Sequence, residues 1–492
     1  MIAAHLPALQ VAVPLLAAPL MVLLRRSGIA YALALAASWL ALVCALLLWQ
    51  QVDASGPISY AMGNWPPPWG IEYRVDRLTA FVLVLVALMA AVVLPYSRAS
   101  VAAEIARGQH YLFYAMFSLC LTGLLGMTLT GDAFNFFVFL EISSLSSYVL
   151  IALGRDRRAL VAAYQYLIMG TIGATFIVIG VGLLYLMTGT LNMADLAQRL
   201  PETHGARPVL AALAFITVGV SLKLALFPLH LWLPNAYTYA PSAVTAFLAA
   251  TATKVSVYAL IRFYYTVFGE DLVFVRLPVP QILLFLSLAA MFIASTAAIF
   301  QDNLKKLFAY SSVAQIGYIT LGLSFGSVTG LTAAVTHLFN HGITKGALFM
   351  LLGGVMLRTG GVGFDSAAGL GRRMPLTSFG IVIGGLSLIG IPGTAGFVSK
   401  WYLILAALEK GQWWLVFAIV ASSLLAVVYV WRFVEVAYLR PPPAGTRRNE
   451  APLSMLLPAW FMVGLCVWVG LDTSFTVGSA QAAANALSGG AR

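Results

Sequence analysis

The stretch HLFNHGITKGALFM, residues 337–350, decides the fold of this chain because it sets three basic side chains in an apolar background. His337, His341 and Lys345 recur every four residues, which places them along one face of a helix. An ionisable group near the centre of a bilayer costs about 2.5–3.5 kcal/mol on insertion scales. The stretch therefore predicts a helix that crosses a membrane inside a bundle and turns a polar face towards the interior.

The composition indicates a membrane protein with many spans. Of 492 residues, 61% are hydrophobic and 9% are charged, whereas a soluble domain has about 25% charged residues. Apolar stretches long enough to cross a bilayer recur from end to end. The first of them lacks a preceding basic segment and is followed by many more, so we interpret it as a span and not as a cleaved signal.

We predict an all-α polytopic protein with about fourteen transmembrane helices. The predicted spans are residues 5–24, 28–50, 75–97, 110–130, 132–153, 159–187, 208–228, 241–268, 279–300, 305–325, 329–357, 375–408, 412–438 and 452–472. Between them, residues 51–74 are rich in Pro, Gly and Trp and are expected to form a small external hairpin. Residues 187–208 are expected to hold a short amphipathic helix.

The loops between the spans divide their basic residues unequally between the two sides of the membrane. One side receives 15, namely Arg25, Arg26, Arg98, Arg107, Arg155, Arg157, Arg158, Lys305, Lys306, Arg358, Arg372, Arg373, Arg440, Arg447 and Arg448. The other receives 7, namely Arg74, Arg77, Arg199, Arg207, Arg276, Lys410 and Arg492. Because basic loops remain cytoplasmic, we expect both termini to be external. The net charge of +11 then reflects topology and does not indicate a nucleic-acid partner.

Ionisable residues inside the predicted spans are the candidates for function. They are Glu141, Lys223, Lys254, His337, His341, Lys345 and Lys400. Histidine titrates near neutral pH, and a lysine does so when burial disfavours its charged form, so such a set can relay protons. The alternatives are a purely structural ion pair between Glu141 and Lys223 and histidines that only complete hydrogen bonds in the core. His230 is either a group at the point where protons enter or an ordinary interfacial residue.

The chain offers little for a metal or a cofactor. The spacing of His337 and His341 permits a shared metal, but Leu338 stands where a zincin motif has its glutamate. Cys44, Cys120 and Cys466 are scattered and indicate neither a disulfide framework nor a metal site. Nucleotide, flavin and iron–sulfur motifs are absent from the sequence. We therefore expect no cofactor and no enzymatic activity in this chain.

Prolines predict two interrupted helices. Pro228 follows Lys223 closely, and Pro392 precedes Lys400 within a glycine-rich segment. Proline removes a backbone donor and disrupts the carbonyl ladder, and discontinuous helices at matching positions of two repeats indicate a transport site. A faint internal similarity at an offset of about 165–175 residues supports such repeats. The expected division is an N-terminal part (1–109, with the external loop 51–74), two five-helix repeats (110–268 and 279–438) and a C-terminal helix (439–492).

Five segments together resemble a known family. They are GDAFNFFVFLEISSLSSYVLIALG, KLALFPLHLWLPNAYTYAPSAV, DNLKKLFAYSSVAQIGY, HLFNHGITKGALF and IGIPGTAGFVSKW, in this order along the chain. They resemble the antiporter-like proton-translocating subunits shared by Mrp-type cation/proton antiporters, respiratory complex I and membrane-bound hydrogenases, and most of all the D-type subunits of Mrp complexes. The resemblance covers roughly residues 70–440 and implies fourteen helices with two inverted five-helix repeats and two broken helices.

The resemblance also implies roles for the candidate residues. Glu141 is similar to the family's glutamate on the fifth helix, and Lys223 is similar to its partner lysine on the seventh. Lys254 corresponds to the group on the eighth helix and Lys400 to the residue on the twelfth, which is lysine or glutamate in different members. His337, His341 and Lys345 correspond to the relay on the eleventh helix. One departure is Asn235, where many complex I members have aspartate.

The resemblance implies a bacterial inner-membrane, proton-translocating subunit of a multisubunit Na⁺/H⁺ or K⁺/H⁺ antiporter. The expected partners are other membrane subunits, protons, Na⁺ or K⁺, and the lipid bilayer. The alternative is a proton-pumping membrane subunit of a complex I-like or hydrogenase-like redox complex, with the redox chemistry on partner subunits. A structural scaffold and a quinone-binding subunit are further alternatives. The full set of charges argues against the scaffold, and the sequence shows no site for a quinone.

Overall fold

The computed structural model describes residues 2–443 and 448–489, so Arg447 and Arg492 of the charge count above lie outside the described residues. Its helices are α1 Leu6–Leu24, α2 Ser27–Ser55, α3 Arg77–Glu104, α4 His110–Leu129, α5 Ala133–Ala152, α6 Arg158–Thr188, α7 Met193–Arg199, α8 Arg207–Leu224, α9 Trp232–Tyr239, α10 Ser242–Ile261, α11 Val279–Ala289, α12 Ser295–Ile299, α13 Leu304–Ser324, α14 Val328–Thr359, α15 Phe364–Ala367, α16 Leu370–Arg373, α17 Pro375–Ile389, α18 Ala395–Glu409, α19 Trp413–Val434, α20 Leu453–Leu471 and α21 Ser474–Ser488.

Wider and tighter turns interrupt or extend these helices. The π-helical segments are Arg262–Val267, which continues α10, Asp271–Arg276, Ala290–Ala294, which joins α11 to α12, and Glu435–Leu439, which continues α19. Short 3₁₀ turns occur at Ile2–His5, Met62–Asn64, Arg107–Gln109 and Leu200–Thr203. The π segments were not predicted, because an apolar stretch does not show where the hydrogen-bond ladder widens.

The prediction of an all-α polytopic membrane protein is confirmed. Within residues 2–443 and 448–489, eleven helices are long and apolar enough to cross a membrane. Helices α13 and α14 carry lysines, histidines and other polar residues, which lower their hydropathy. Helices α17 and α18 have 15 residues each and are too short to cross alone. Together with α13, α14 and the pair α17–α18, the eleven make the fourteen predicted crossings in the described part of the chain.

Side-chain caps define where several crossings begin. The Asp132 carboxylate accepts a hydrogen bond from the Asn135 amide at the start of α5 (2.7 Å). Asn303 accepts from the Lys306 amide at the start of α13 (3.1 Å), and Ser327 from the Gly330 amide at the start of α14 (3.2 Å). These caps satisfy backbone donors that have no partner within their own helix. The caps define where these helices begin, which the apolar sequence inside each helix does not show.

Helix α14 is the centre of the bundle. It packs against α3, α10, α13, α17, α18, α20 and α21, and residues 330–355 are all buried. Helices α1, α2, α6 and α19 lie at the periphery and expose long apolar stripes. The stripe of His337, His341 and Lys345 therefore lies in the middle of the molecule, as expected for charges that must avoid lipid.

Two crossings are broken, as predicted. Helix α8 ends at Leu224 and α9 begins at Trp232, with Pro228 in the seven-residue connection between them. Helix α17 ends at Ile389 and α18 begins at Ala395, with Pro392 between them. Each broken crossing is the fourth of its expected five-helix unit, at 110–268 and at 279–438.

The loop at 51–74 contains the expected hairpin. Strands β1 Ile58–Ala61 and β2 Glu72–Val75 pair antiparallel, with Ile58 opposite Val75 and Ala61 opposite Glu72. The Glu72 carboxylate accepts from the Ser59 hydroxyl (2.6 Å) and from the Asn192 side-chain amide (2.8 Å). Asn192 is also the N-cap of α7, the short helix expected in residues 187–208. One buried carboxylate thus ties the hairpin to α7.

Helix α21 was not predicted. It packs across α3 and α14, and the Phe475 ring lies 5.6 Å from the rings of Phe81 and Phe339 (centroid to centroid). Its sequence, SFTVGSAQAAANALS, is rich in Ala and Ser and has no long apolar run. Its alanines favour a helix, but without a long apolar run the sequence does not show that this helix packs against the bundle.

Candidate functional site

The candidate residues lie in the interior of the bundle. Lys223, Lys254, Lys345 and Lys400 are at most 5% exposed, and His337 and His341 are at most 2% exposed. Glu141 differs, because its side chain is 28% exposed. It lies on α5 beside a stripe of exposed apolar residues, Phe134, Val138, Leu145 and Val149. Six of the seven charges therefore belong to the core, and Glu141 lies at its edge.

Glu141 and Lys223 face each other across α5 and α8. The Lys223 ammonium lies 3.9 Å from a Glu141 carboxylate oxygen, and it donates a hydrogen bond to the Ser144 hydroxyl (2.8 Å). An ion pair at this distance is loose, since a charge-assisted hydrogen bond is typically ~2.7–2.9 Å. The Lys223 ammonium therefore donates its hydrogen bond to Ser144, and its interaction with Glu141 is mainly electrostatic.

Lys223 lies in the last turn of α8, where the helix breaks. Ala225 has a left-handed backbone (φ 60°), and the Trp232 indole N–H donates to the Leu222 carbonyl (2.9 Å). Trp232 in turn stacks on Tyr166 of α6 at 3.8 Å between ring centroids. The indole N–H takes the place of a backbone donor that the interrupted helix lacks. Packing of Trp232 on Tyr166 thus stabilises the break, and the break places Lys223 at a helix end.

Tyr148 fills the space beside this pair. Its ring packs edge-on against Tyr166 (4.7 Å between centroids), and its hydroxyl lies so close to Gly170 that a β-carbon there would overlap it. A β-carbon at Gly170 would also lie 3.4 Å from the Lys223 nitrogen. The Tyr148 hydroxyl has no hydrogen-bond partner among the described residues. Gly170 thus permits a tyrosine hydroxyl to approach the lysine.

Lys254 lies at the crossing of α10 and α14. Its ammonium donates to the Ala249 carbonyl and, at 3.3 Å, to the Thr253 hydroxyl. The two helices approach closely here, since a β-carbon on Gly342 would lie 3.0 Å from the Ala250 carbonyl oxygen. Gly342 follows His341, so the close approach brings the Lys254 ammonium and the His341 ring to the same crossing.

The two histidines of α14 stack along the helix. Their ring centroids are 5.9 Å apart, and His337 Nδ1 is 2.7 Å from the Ser399 hydroxyl oxygen. His337 Nε2 and both ring nitrogens of His341 are buried and have no hydrogen-bond partner in the described structure. Buried polar atoms of native proteins are nearly always paired. We expect water molecules to bridge these nitrogens to their neighbours.

Lys345 points away from the histidines towards α13. Its ammonium donates to the Phe308 carbonyl (2.7 Å) and to the Ser311 hydroxyl, and it lies 5.7 Å from the Phe308 ring centroid. His230 approaches the same region, with its ring 6.3 Å from that of Tyr310 and stacked on Phe227 at 5.2 Å. Its Nδ1 is buried without a partner in the part of the chain that the structure describes. His230 therefore contacts α13, the helix that also supplies the hydrogen-bond partners of Lys345.

Lys400 binds the end of the second broken helix. Its ammonium donates to the Leu388 and Ile389 carbonyls at the C-terminus of α17 (2.9 Å each) and to the Ser423 hydroxyl (2.9 Å). The C-terminal end of a helix carries partial negative charge. The break after Ile389 frees these carbonyls, so the half-helix supplies the ligands of the lysine in place of a carboxylate.

Tyr318 connects Lys400 to the histidines. The Lys400 nitrogen lies 4.4 Å from the Tyr318 ring centroid, and that ring lies 5.8 Å from the His337 ring. The Tyr318 hydroxyl donates to the Ser422 hydroxyl (2.9 Å). Neighbouring side chains in ring contact therefore run from Lys400 over Tyr318 to His337 and His341.

Sequence reasoning did not single out several residues of this set. Tyr318, Ser399 and Ser423 had no separate signal, although a serine directly precedes Lys400 and serine pairs occur at 311–312 and 422–423. The partly buried pair of Asp76 and Arg262 was also missed, because both residues lie at the ends of apolar spans. Within the described residues, no group of three or more His, Cys, Asp or Glu side chains is placed to hold a metal ion.

Comparison with known proteins places the chain in a family. Residues 130–426 match the family model described as NADH:quinone oxidoreductase/Mrp antiporter, transmembrane. The N subunit of NADH-quinone oxidoreductase from Desulforudis audaxviator is 46% identical over 471 residues, which cover 92% of this chain and 93% of that protein. The D subunit of the Na⁺/H⁺ antiporter from Bacillus subtilis is 30% identical over 471 residues, which cover 95% and 94%.

Solved structures agree with these relatives. A chain of the membrane-bound sulfane sulfur reductase, an archaeal respiratory membrane complex, matches with a TM-score of 0.90 and 31% identity over 98% of both chains. A chain of the Mrp complex from Dietzia sp. matches with a TM-score of 0.89 and 27% identity over 99% of this chain and 98% of that one. Both belong to assemblies of several subunits. The resemblance seen in the sequence is confirmed, and the chain belongs to the NADH:quinone oxidoreductase/Mrp antiporter transmembrane family.

Proposed function

We propose that this chain is the proton-translocating membrane subunit of a multisubunit Na⁺/H⁺ or K⁺/H⁺ antiporter. The observation that carries the proposal is the loose ion pair of Glu141 and Lys223 at the break of α8, 3.9 Å apart and inside a membrane bundle. The interior charges of α10, α14 and α18 extend the polar set beyond this pair. Relatives named as D subunits of Na⁺/H⁺ antiporters support the antiporter function.

The ion pair acts as an electrostatic gate. An opposite charge within about 4–6 Å stabilises both charged forms, so the Lys223 ammonium keeps its proton while Glu141 is near. When the two side chains separate, the ammonium loses this stabilisation and releases its proton. Moving one charge across 100 mV involves about 2.3 kcal/mol, which is comparable to the change in the proton affinity of one buried group.

Protons travel between Lys400 and the gate through the groups in between. The proposed order is Lys400, His337, His341 with Lys345, Lys254, Lys223 and Glu141, and His230 is proposed as a group where protons enter. Hydroxyls of Ser144, Ser399 and Ser423 hold these groups at hydrogen-bond distance. Water completes the path at the unpaired nitrogens of the histidines.

The second candidate function is a proton-pumping subunit of a redox complex. The relative from Desulforudis audaxviator, 46% identical and named as the N subunit of NADH-quinone oxidoreductase, favours it. The roles of the chain's own residues are the same in both cases, since partner subunits would carry the redox chemistry. The two functions differ only in what drives the gate.

The proposal includes the arrangement in the membrane. The chain is placed in a bacterial inner membrane with both termini external, and partner subunits cover part of its surface. The two five-helix units, 110–268 and 279–438, are inverted copies that each contribute one broken helix and one lysine beside the break. The site would then lie between two similar halves, as in transporters with inverted repeats.

Substitution of the gate residues in the assembled complex tests the proposal. In vesicles that hold the complex, Glu141→Ala and Lys223→Ala should each abolish proton movement followed with a pH-sensitive dye, while assembly is retained. The double variant should be no worse than either single one, because coupled residues are not additive. Glu141→Asp should keep partial activity. The matched controls are Glu202→Ala and Lys410→Ala, which remove exposed charges outside the site and should change nothing.

Replacement of both gate residues by neutral ones shows which result would contradict the proposal. If Glu141→Gln combined with Lys223→Met transports protons at the wild-type rate, the two residues only pack and the gate does not exist. The same vesicles distinguish the two functions. A Na⁺ or K⁺ gradient drives proton movement in an antiporter, whereas a reductant and a quinone drive it in a redox complex.

A further inference from the structure

A groove runs between α1 and α4 on the membrane-facing surface. It has a volume of about 940 Å³, and Leu16, Pro19, Leu23 and Leu119 are among the side chains that line it. Leu16 and Leu23 are 69% and 78% exposed. Ala18 and Ala115, which also line the groove, are buried and small, so they leave room between the two helices.

The length of the groove along α1 is close to the thickness of one leaflet of the hydrocarbon core. It extends from Leu15 of α1 to Arg25, the residue after α1, which is eleven residues and about 15 Å at a rise of ~1.5 Å per residue. The hydrocarbon core of a bilayer is about 30 Å thick. An apolar track of this length, parallel to the helix axis, matches one acyl chain that hangs from the membrane interface.

Arg25 lies at one end of the groove, and two further arginines are connected to this end through the chain or through ring contacts. Arg25 lines it directly, Arg26 follows in the chain just before α2, and Arg98 lies on α3. Arg98 lies 5.7 Å from the ring centroid of Tyr31, which contacts Tyr114 at 5.5 Å beside Ala115.

The three arginines are exposed and lack acidic partners. None of them has a carboxylate oxygen within 4.0 Å among the described residues. Positive charge without acidic partners at the mouth of an apolar track is complementary to a molecule with an anionic head and an apolar tail.

We propose that the groove between α1 and α4 binds an anionic phospholipid, with one acyl chain along Leu16 and Leu23 and the phosphate on Arg25. Basic pockets between transmembrane helices bind anionic lipid headgroups in this manner. A transmembrane helix from a partner subunit is the competing occupant. It would cover the apolar track but would leave the arginines without counter-charge.

Lipid retention by the purified complex tests the site. Complexes are incubated with phosphatidylglycerol or with phosphatidylethanolamine of the same acyl chains, and bound lipid is counted by native mass spectrometry. The wild type should retain phosphatidylglycerol in preference. Arg25→Ala and Arg26→Ala should each lower its retention about fivefold, whereas Arg372→Ala, an exposed arginine of another loop, should not. Met116→Trp, which fills the groove, should lower retention as well.

Three results would overturn the proposal. Equal retention of the two lipids would mean that the arginines do not select an anionic headgroup. Loss with the arginine variants but not with Met116→Trp would mean that the groove holds no acyl chain. Cross-linking of Leu16→Cys to another subunit in the assembled complex would mean that a protein helix occupies the groove. None of these readouts depends on ion transport, so they leave the proposed function untouched.

Discussion

Gly170 is the residue on which the geometry of the gate depends most directly. A methyl group at this position would collide with the Tyr148 hydroxyl, and the edge-on contact of that ring with Tyr166 restricts where the hydroxyl can move. The methyl group itself would lie 3.4 Å from the Lys223 nitrogen. The absence of one side chain in α6 thus decides the distance between groups on α5 and α8.

We expect Gly170→Ala to lower proton transport by roughly tenfold to a hundredfold, since a displacement of about 1 Å at a reacting group has effects of this size. The measurement is the initial rate of proton movement in vesicles that hold the assembled complex. The control is Gly182→Ala on the same helix, where a β-carbon meets nothing within 4 Å, and its rate should equal that of the wild type.

A second substitution identifies the cause. Tyr148→Phe removes the oxygen that collides with the new methyl group, so Gly170→Ala combined with Tyr148→Phe should recover much of the rate. An unchanged defect in the double variant would show that the methyl group acts through the fold of α6 and not through Tyr148.

At the scale of elements, α3 and the end of α10 are joined by a partly buried ion pair. Asp76 caps α3 by accepting from the Thr79 amide (2.9 Å), and the same carboxylate pairs with Arg262, where α10 passes into a π-helical segment. Arg262 also donates to the Tyr258 hydroxyl (2.9 Å) and to the Thr79 hydroxyl (2.8 Å). One carboxylate therefore fixes the end of one helix and the position of another.

Asp76→Ala should lower the free energy of unfolding by about 2–3 kcal/mol, because it removes the N-cap of α3 and a charge-assisted hydrogen bond to Arg262. Thermal unfolding of the purified protein in detergent measures the loss. The control is Asp53→Ala, which removes an exposed ion pair with Arg77 (3.6 Å) and should cost at most about 1 kcal/mol. Equal melting temperatures for the two variants would show that the pair of Asp76 and Arg262 stabilises the fold no more than the exposed pair of Asp53 and Arg77.

The sequence predicted the elements that carry strong local signals. Apolar stretches gave the crossings, and Pro228 and Pro392 gave the two breaks. It did not predict the π-helical segment at Arg262 or helix α21, because an apolar stretch does not show where the hydrogen-bond ladder widens and α21 owes its place to packing against the bundle.

The same limit applies to the candidate site. A charged residue inside an apolar run is visible in the sequence, so the seven ionisable groups could be named. Their ligands could not, because serine and tyrosine are ordinary residues of helix interfaces. Lys400 binds backbone carbonyls, which every residue has, so the sequence does not show which ones it binds. These two carbonyls are free to accept because α17 ends there.

For the whole molecule, the distribution of basic residues predicts which side of the membrane each loop faces. Cysteine in place of the exposed residues Arg157 and Arg372 should react with an impermeant maleimide only after the membrane is opened. Trp69→Cys in the hairpin loop, where the native side chain is 86% exposed, should react from outside in intact cells. The native cysteines lie within α2, α4 and α20 and are buried or half-buried. Labelling of Arg157→Cys from outside would contradict the topology.

The surface of the bundle predicts dependence on partners. Helices α5 and α19 expose apolar side chains, and the partly exposed Glu141 lies on the surface of α5. A carboxylate in contact with lipid is costly, so we expect a partner subunit to cover it. This chain reconstituted alone should therefore show little or no cation-driven proton exchange, measured with the same dye. If the chain alone exchanges protons rapidly and its Glu141→Ala variant does not, partner subunits are not required for transport.

The peripheral helices have unequal lengths, so the molecule is thin at α1. Helix α1 has 19 residues, whereas the peripheral helices α2 and α6 have 29 and 31 and the central α14 has 32. At ~1.5 Å per residue, α1 is about 28 Å long and α14 is about 48 Å long. Hydrophobic mismatch with a thicker bilayer costs a fraction of a kcal/mol per Å, and it acts where the shortest peripheral helix meets lipid, at α1. Elastic stress from the membrane therefore falls on the outer helices, and α14 with its histidines is shielded from it.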